Sequence, residues 1–389
     1  MTAPLADIQP PAADLYRMLA EAGFGPELFN PTQHRCCALV ERYALDVTLD
    51  VCAALGALDR LDVGRTIPDL LDACGLVPGF APRLAWLLSH LAHAGIVTRT
   101  SDTYRLARPP PASVRDAVRA AGLALDPSYA PAYDLLDVVG GLYPRVARGE
   151  TQPERALFMR VGLWVAYFSN ANRYYALNNV VTARAVARRF TGGRILEVGA
   201  GLGSATAALC DELRAVDRLA AVETYRATEP VPFFRRRAER ALADTWVGGP
   251  LQLDDLDMNQ PWDAQGVAPG SQALVWGVNV FHLARRLDHV LAQAHRTLEP
   301  GGWLVVGEGV RPQPGEPVGA ELPFQLLDSL HDVELDPVTR PTAGFLTADV
   351  WEAAFRRAGF AAVEVVPDLS RLRPHYPGFL GAGFCARRV

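Results

Sequence analysis

The spacing of apolar positions changes partway along this 389-residue chain and divides it in two. Up to about residue 185 they recur at three- and four-residue intervals, the signature of helices with one buried face. From Arg194 onward, short continuous apolar runs alternate with such helical stretches. In the first part, "LDVCAALGALDRLD" has helical periodicity, and "TIPDLLDACGL" opens with Thr66 as a cap and Pro68 in the first turn. "APRLAWLLSHLAHAGIVTRTSDTYRLA" predicts an amphipathic helix and then two short strands about Ser101 and Asp102. Pro-rich "RPPPAS" (108–113) reads as a linker, residues 114–185 as helices nearly continuous from Arg155, and residues 1–12 as loose.

In the second part, "RILEVGAG" is a buried strand, "TAALCDELRAV" a helix, "YRATE" a strand and "PFFRRRAERAL" a helix. "QALVWGVNVFH" and "GWLVVGEG" are strands flanking the helix "RRLDHVLAQAHRTLEP". A long excursion precedes the helix "ADVWEAAFRRAGF" and the strands "AAVEVVPD" and "FLGAGFCARR". This alternation predicts a doubly wound α/β sheet. The last two strands leave little room for a crossover helix, so one of them is expected to run antiparallel. The expected organisation is an N-terminal mostly helical domain (1–107), a helical linker and pocket segment (108–185) and an α/β domain (186–389).

Composition narrows the classes. Half of the residues are hydrophobic, enough for a large core, and the net charge of -5 supplies no general attraction to nucleic acid or an anionic membrane. All 38 basic residues are Arg, which excludes a Walker-type Lys, a Schiff-base Lys and a Lys base. Cysteines at 36, 37, 52, 74, 210 and 385 lack zinc spacing and read as small buried hydrophobes in a reducing compartment. "MTAPLADIQPP" has neither a basic n-region nor an apolar h-region, and no uncharged apolar run reaches about 18 residues. A cytoplasmic protein with no membrane span and no metal centre is expected.

The candidate chemistry begins at "RILEVGAGLGSATAAL", where Gly199, Gly201 and Gly203 follow the strand. A glycine-rich turn between strand and helix serves dinucleotide and S-adenosylmethionine sites alike. Here the glycines fall at every second position rather than as GxGxxG, and Glu197 precedes them. A carboxylate at that strand end suits a sulfonium and repels a pyrophosphate.

"EVGAGLG" resembles the ExGxGxG motif of class I S-adenosylmethionine-dependent methyltransferases, and the resemblance continues over about 190 residues. It implies S-adenosylmethionine as cofactor, held by Glu197, Gly199, Ala200, Gly201 and Gly203. In "YRATEPVPFF" it gives Glu229 the ribose hydroxyls, with Glu223 as the alternative. In "LDMNQPWDAQG" it sets Asp257, with Met258, at the adenine; Asn279 and Tyr174 complete the set. "NVFH" (279–282), "EGVRP" (308–312) and "NRYYALNN" (172–179) are similar to segments of polyketide-synthase C-methyltransferase domains, where a His–Glu pair removes a proton from an acidic carbon. That likeness makes His282 the base and Glu308 its partner. Phe281 replaces the Leu of that motif, and no ketosynthase or carrier segment is read in the chain.

The N-terminal half is similar in layout to the winged-helix dimerisation domain of small-molecule O-methyltransferases, which implies a homodimer; their "HDW" is absent, His282 being followed by "LAR". A DNA-reading helix carries a basic face, and 82–94 offers Arg83 alone, so no nucleic-acid partner is expected. The substrate expected is a small natural-product intermediate, a β-keto or α-keto carbon acid or the ortho carbon of a phenol. O-methylation of a phenol or enol is the alternative, and presentation by a carrier protein stays open. Candidate lining residues are Trp164, Phe168, Tyr175, Phe324 and His331, which equally suit plain core, with Arg160 and Arg173 as carboxylate ligands or solvated surface.

Overall fold

The computed structural model describes residues 11–246 and 249–389; the loose reading of the N-terminus otherwise lies outside them. Two compact units are built from non-contiguous segments. The first is centred on Phe29–Tyr167 with Gly315–His331, the second on Ala12–Leu28, Phe168–Pro314 and Asp332–Val389. The stretch 108–185 therefore divides at Tyr167 rather than forming a body of its own.

The first unit is mostly helical. Its longest helix, Pro31–Ala54, starts where Asn30 Oδ1 accepts the Gln33 N–H at 3.0 Å, and it buries Leu39, Val40, Tyr43, Val47 and Val51. Thr66 and Asp69 form a reciprocal capping box at the start of Ile67–Ala73. Strands β1 (Arg65–Thr66), β2 (Val97–Thr100) and β3 (Thr103–Leu106) make an antiparallel ribbon in the order β1-β3-β2, with Ser101 left-handed at the hairpin turn (φ 56°). Arg83, on the helix Ala81–His93, is buried; it donates to the Leu326 carbonyl at 3.0 Å and pairs with Asp328. Glu41 accepts the Gly319 N–H at 2.7 Å and the Tyr143 hydroxyl donates to the Leu322 carbonyl at 2.7 Å. These bonds hold 315–331 on the helices.

Among the described residues the second unit carries a seven-stranded sheet: β4 (Gly193–Val198), β5 (Val222–Thr228), β6 (Leu251–Asp254), β7 (Gln272–Val278), β8 (Leu298–Gly309), β9 (Val363–Val366) and β10 (Gly381–Arg387). The order is β6-β5-β4-β7-β8-β10-β9. Neighbours from β6 to β8 are parallel, and β10 is antiparallel to both β8 and β9, as the short final connection predicts. The central strands bury Ile195, Leu196, Leu274, Val275, Trp276, Leu304 and Val305. Sequence reading missed β6: "LQLD" is four residues at a sheet edge, with no continuous apolar run.

The near-continuous helix expected from Arg155 is instead three: Pro153–Phe158, Val161–Tyr167 and Arg173–Arg189. The last break falls in "SNAN", whose short polar side chains bond backbone in place of the helix ladder. Ser169 Oγ accepts the Ala171 N–H at 3.1 Å, and Asn170 Nδ2 donates to the Ser204 carbonyl at 2.7 Å. Residues 12–28 belong to the second unit, held by Arg184 on Glu27 (2.8 Å) and Arg188 on the Ala22 carbonyl. Among the described residues no helix is long and apolar enough to cross a membrane.

Candidate active site

β4 runs into the glycine turn, where Gly199, Gly201 and Gly203 take φ of 69°, 56° and 85°. L side chains are strained there. Space differs between the three. A Cβ on Gly199 would meet Val280 at 2.4 Å and one on Gly203 would meet Leu242 at 2.8 Å, whereas one on Gly201 would meet nothing within 4 Å. Gly199 and Gly203 thus allow packing inside the unit, while Gly201 lies under open space. The Ala200 N–H donates to the Thr228 carbonyl at 2.8 Å and ties the turn to β5.

Glu229 follows the end of β5. Its carboxylate is buried and accepts the N–H of Gly201 (3.1 Å) and of Val231 (2.9 Å). Burial pushes this carboxyl up from its ordinary range, against the pull of the two amides and of Arg235. Glu223 lies at the other end of the same strand, largely exposed and 3.8 Å from Arg194. Of the two acids, Glu229 is the one brought to the glycine turn. Asp257, past β6, is part-exposed; its Oδ1 accepts the Asn259 N–H at 2.9 Å. The Met258 carbonyl beside it accepts from Trp262 Nε1 at 3.0 Å.

Glu197 is placed differently from the expectation of a charge beside a sulfonium. Side chains alternate along a strand, and this one turns into the core. It is 1% exposed, and its Oε2 accepts the hydroxyls of Thr206 and Tyr225, each at 2.7 Å. The Tyr225 oxygen accepts in turn from Trp276 Nε1 at 3.1 Å. Glu197 Oε1 has no hydrogen-bond partner among the described residues. Burial pushes this carboxyl up to about 7, against the two hydroxyls.

At the ends of β7 and β8 two titratable groups meet. Asn279 is left-handed (φ 54°) and turns the chain out of β7; its Oδ1 accepts from Asn178 Nδ2, in "NRYYALNN", at 2.8 Å. Asn tolerates that conformation better than most residues. The short helix Phe281–Leu283 follows and presents His282. Its Nδ1 lies 2.7 Å from Oε2 of Glu308, the penultimate residue of β8, and its backbone N–H donates to Oε1 at 3.2 Å. Glu308 is fully buried, and His282 is 8% exposed in its side chain. The Phe345 ring stands edge-on to the imidazole, 5.2 Å between centroids. Arg340, which sequence reading did not single out, donates from Nη2 to the His282 carbonyl. It comes from the long excursion, where no periodicity marks it.

The candidate lining residues fall into separate groups. Trp164 is buried in the first unit, donates to the Leu157 carbonyl at 2.8 Å and stacks on Phe324 (6.4 Å, 30°). His331, in the same unit, lies 3.1 Å from the Gln325 carbonyl, and burial pushes its pKa down. Arg160 is exposed at a surface cavity of about 590 Å³, with Arg145 and Arg155. In the second unit Phe168 and Tyr175 meet edge to face at 5.1 Å, and Arg173 donates to the Glu27 carbonyl at 2.8 Å. Tyr174 is part-buried on the same helix as Tyr175. Among the described residues no group of three or more His, Cys, Asp or Glu is placed to hold a metal.

A parallel sheet with one antiparallel strand in this order, and a glycine turn after its central strand, is the class I methyltransferase fold, here with a mostly helical N-terminal region. Within that class the whole chain is similar to carbon-methyltransferase domains. The CurJ carbon methyltransferase superposes with a TM-score of 0.79 at 19% identity, over 98% of this chain and 100% of that one. The trans-methyltransferase CalH, solved with SAH, gives 0.59 at 20% identity over 89% and 90%. Polyketide synthase ThaG of Burkholderia thailandensis is 32% identical over 336 residues, 82% of this chain and 6% of that protein. The chain spans 5–9% of the length of the curated relatives it matches. No protein-family model matches it.

Proposed function

We propose that this protein is an S-adenosylmethionine-dependent methyltransferase acting on an activated carbon of a small natural-product intermediate, with His282 as general base. The observation that carries the reading is the 2.7 Å imidazole–carboxylate pair at the ends of β7 and β8. Strands β4, β7 and β8 are parallel neighbours, so the pair shares the carboxyl edge of the sheet with the glycine turn.

The residues at that edge fit the cofactor. The open space over Gly201 admits close approach to the backbone. The Gly201 N–H is already taken by the Glu229 carboxylate, so the turn offers an anion where a pyrophosphate would need donors. Glu229 would hold the ribose hydroxyls, Asp257 and Met258 the adenine, and Asn279 and Tyr174 the remaining face. When bound, S-adenosylmethionine supplies an electrophilic methyl group. SAH, its demethylated product, is the ligand of CalH.

His282 then has one task. With the Nδ1 proton donated to Glu308, Nε2 carries the lone pair and takes the proton from an acidic C–H, leaving that carbon nucleophilic. Glu308 holds the tautomer and stabilises the imidazolium that forms. A carbon between or beside carbonyls, as in a β-keto or α-keto compound, is acidic enough for such a base. So is a phenol, whose deprotonation loads charge onto the ortho carbon. Similarity to a polyketide synthase and to carbon methyltransferases supports carbon as the acceptor.

The test uses S-adenosylmethionine carrying a ¹³C-methyl group and a panel of β-keto acids, α-keto acids and hydroxyaryl metabolites, with the product methyl located by NMR. A C–CH₃ resonance is expected. A methyl on oxygen alone would overturn the carbon assignment.

A further inference from the structure

Arg340 is a buried cation of the second unit that the reading above leaves without a role. It is 1% exposed, and its Nη2 donates to the His282 carbonyl. Its Nε and Nη1 have no hydrogen-bond partner among the described residues. Burial pushes its guanidinium down to about 10, while Glu308 attracts it and Arg311 repels it. A buried guanidinium with donors left open is costly by itself and is kept where an anion balances it. Both Glu308 oxygens are taken by His282, through Nδ1 and through its backbone N–H. Glu308 therefore has the His282 ring and backbone amide as its hydrogen-bond partners, and Arg340 as a cation attracted to its charge. The other cation close by, Arg311, is engaged by Thr342 Oγ1 and the Ala343 carbonyl, each at 3.2 Å.

The backbone carrying Arg340 is held firmly. Asp336 and Arg340 exchange both backbone hydrogen bonds at 2.9 Å. The Asp336 carboxylate accepts the N–H of Val338 (2.9 Å) and Thr339 (2.8 Å) and pairs with Arg357 at 2.8 Å. Arg357 ends the helix Ala348–Arg357. The excursion is thereby anchored to a helix on one side and to the turn bearing the imidazole on the other.

We infer that Arg340 is a positioning residue for the His282–Glu308 pair: it fixes the turn that carries the imidazole and supplies the charge that balances the buried carboxylate. The inference rests on the general-base reading above, and it makes a prediction that needs no substrate. Losing the cation leaves the negative charge of Glu308 less offset, which favours the imidazolium. The charged groups that enter this balance are Glu308 on the imidazole, Arg340 on the backbone carbonyl of the same residue, and Arg311, which repels Arg340.

The experiment is ¹⁵N-histidine NMR on the full chain, titrating the His282 ring (assigned through H282Q) in wild type, R340M and R340K. Thermal melts confirm that each protein is folded. R340M is expected to raise the midpoint by about half a pH unit or more, and R340K to restore most of it. With the substrate identified by the labelled-methyl screen, R340M should lower kcat roughly 10–100-fold with KM within about threefold, and R340K should recover part of the loss. A folded R340M whose midpoint stays within about 0.2 units of wild type, or falls, overturns the inference. If R340M does not fold, R340Q keeps a donor for the His282 carbonyl without the charge and gives the same readout. If H282A leaves methyl transfer intact, the general-base reading itself fails. If H282A abolishes transfer while R340M changes neither midpoint nor kcat, only the role given to Arg340 fails.

Discussion

Replacing Glu197 by Gln should remove a pH dependence of stability that the wild-type protein carries. The wild-type carboxyl is fully enclosed, bonded through one oxygen to Thr206 and Tyr225 and through the other to nothing among the described residues. Its pKa is pushed from 4.5 to about 7 in the folded protein. Between those values the native state keeps a proton that the unfolded chain has released. The folded state is then favoured fully below the unfolded pKa, and the advantage is lost as pH rises through the folded one. Moving the pKa from 4.5 to about 7, at about 1.4 kcal/mol per pH unit, comes to roughly 3 kcal/mol. Gln is neutral and nearly isosteric, and its carbonyl can accept the same two hydroxyls. Its amide adds a cost of its own, but one that does not vary with pH. Urea unfolding of both proteins from about pH 5 to pH 8 measures the effect. The difference, wild type minus E197Q, should fall by roughly 2–3 kcal/mol across that range. Parallel stability profiles would refute the reasoning and mean that Glu197 stays ionised in the fold.

Other expectations concern the site itself. H282A should reduce turnover roughly 10²–10⁴-fold while S-adenosylhomocysteine binding by calorimetry stays within about threefold; equal loss of both would make His282 structural. E229A removes the acceptor for the Gly201 N–H at the glycine turn and for the Val231 N–H after β5, and should weaken S-adenosylhomocysteine roughly 10–100-fold, against less than about threefold for E223A at the far end of the strand. The reverse ranking in the same titration would move the ribose site to Glu223. G201A meets no atom within 4 Å but carries φ 56°. It should cost about 1–2 kcal/mol in urea unfolding and lower cofactor affinity by filling the space above the turn.

Much of the fold was legible because it is written in local patterns. The buried runs that became β4, β7 and β8 are too apolar for any place but the centre of a sheet. The short final connection already implied that one of the last two strands runs antiparallel, and the sheet makes that strand β10. The Thr66 cap and the hairpin at Ser101 depend on residues close in sequence. What failed was also local in appearance. "LQLD" is a strand because β5 offers it an edge, not because its own pattern demands one. "SNAN" breaks a helix by bonding to Ser204, more than thirty residues away.

The sequence by itself determined the class: glycines at alternate positions after a buried strand, an acid following the next strand, and a His and a Glu at the ends of two more. Those features depend on residue type and order, which a chain displays before it folds. Tertiary structure decided which groups meet. It turned Glu197 into the core although its spacing matched a cofactor ligand, because strand alternation and the Thr206 and Tyr225 hydroxyls orient its side chain. It brought Glu229 rather than Glu223 to the glycine turn, because only one end of β5 adjoins that turn. It brought Arg340 to His282 across 58 residues of sequence. No propensity or motif encodes a contact of that separation; it exists only once the excursion has folded back onto the sheet edge.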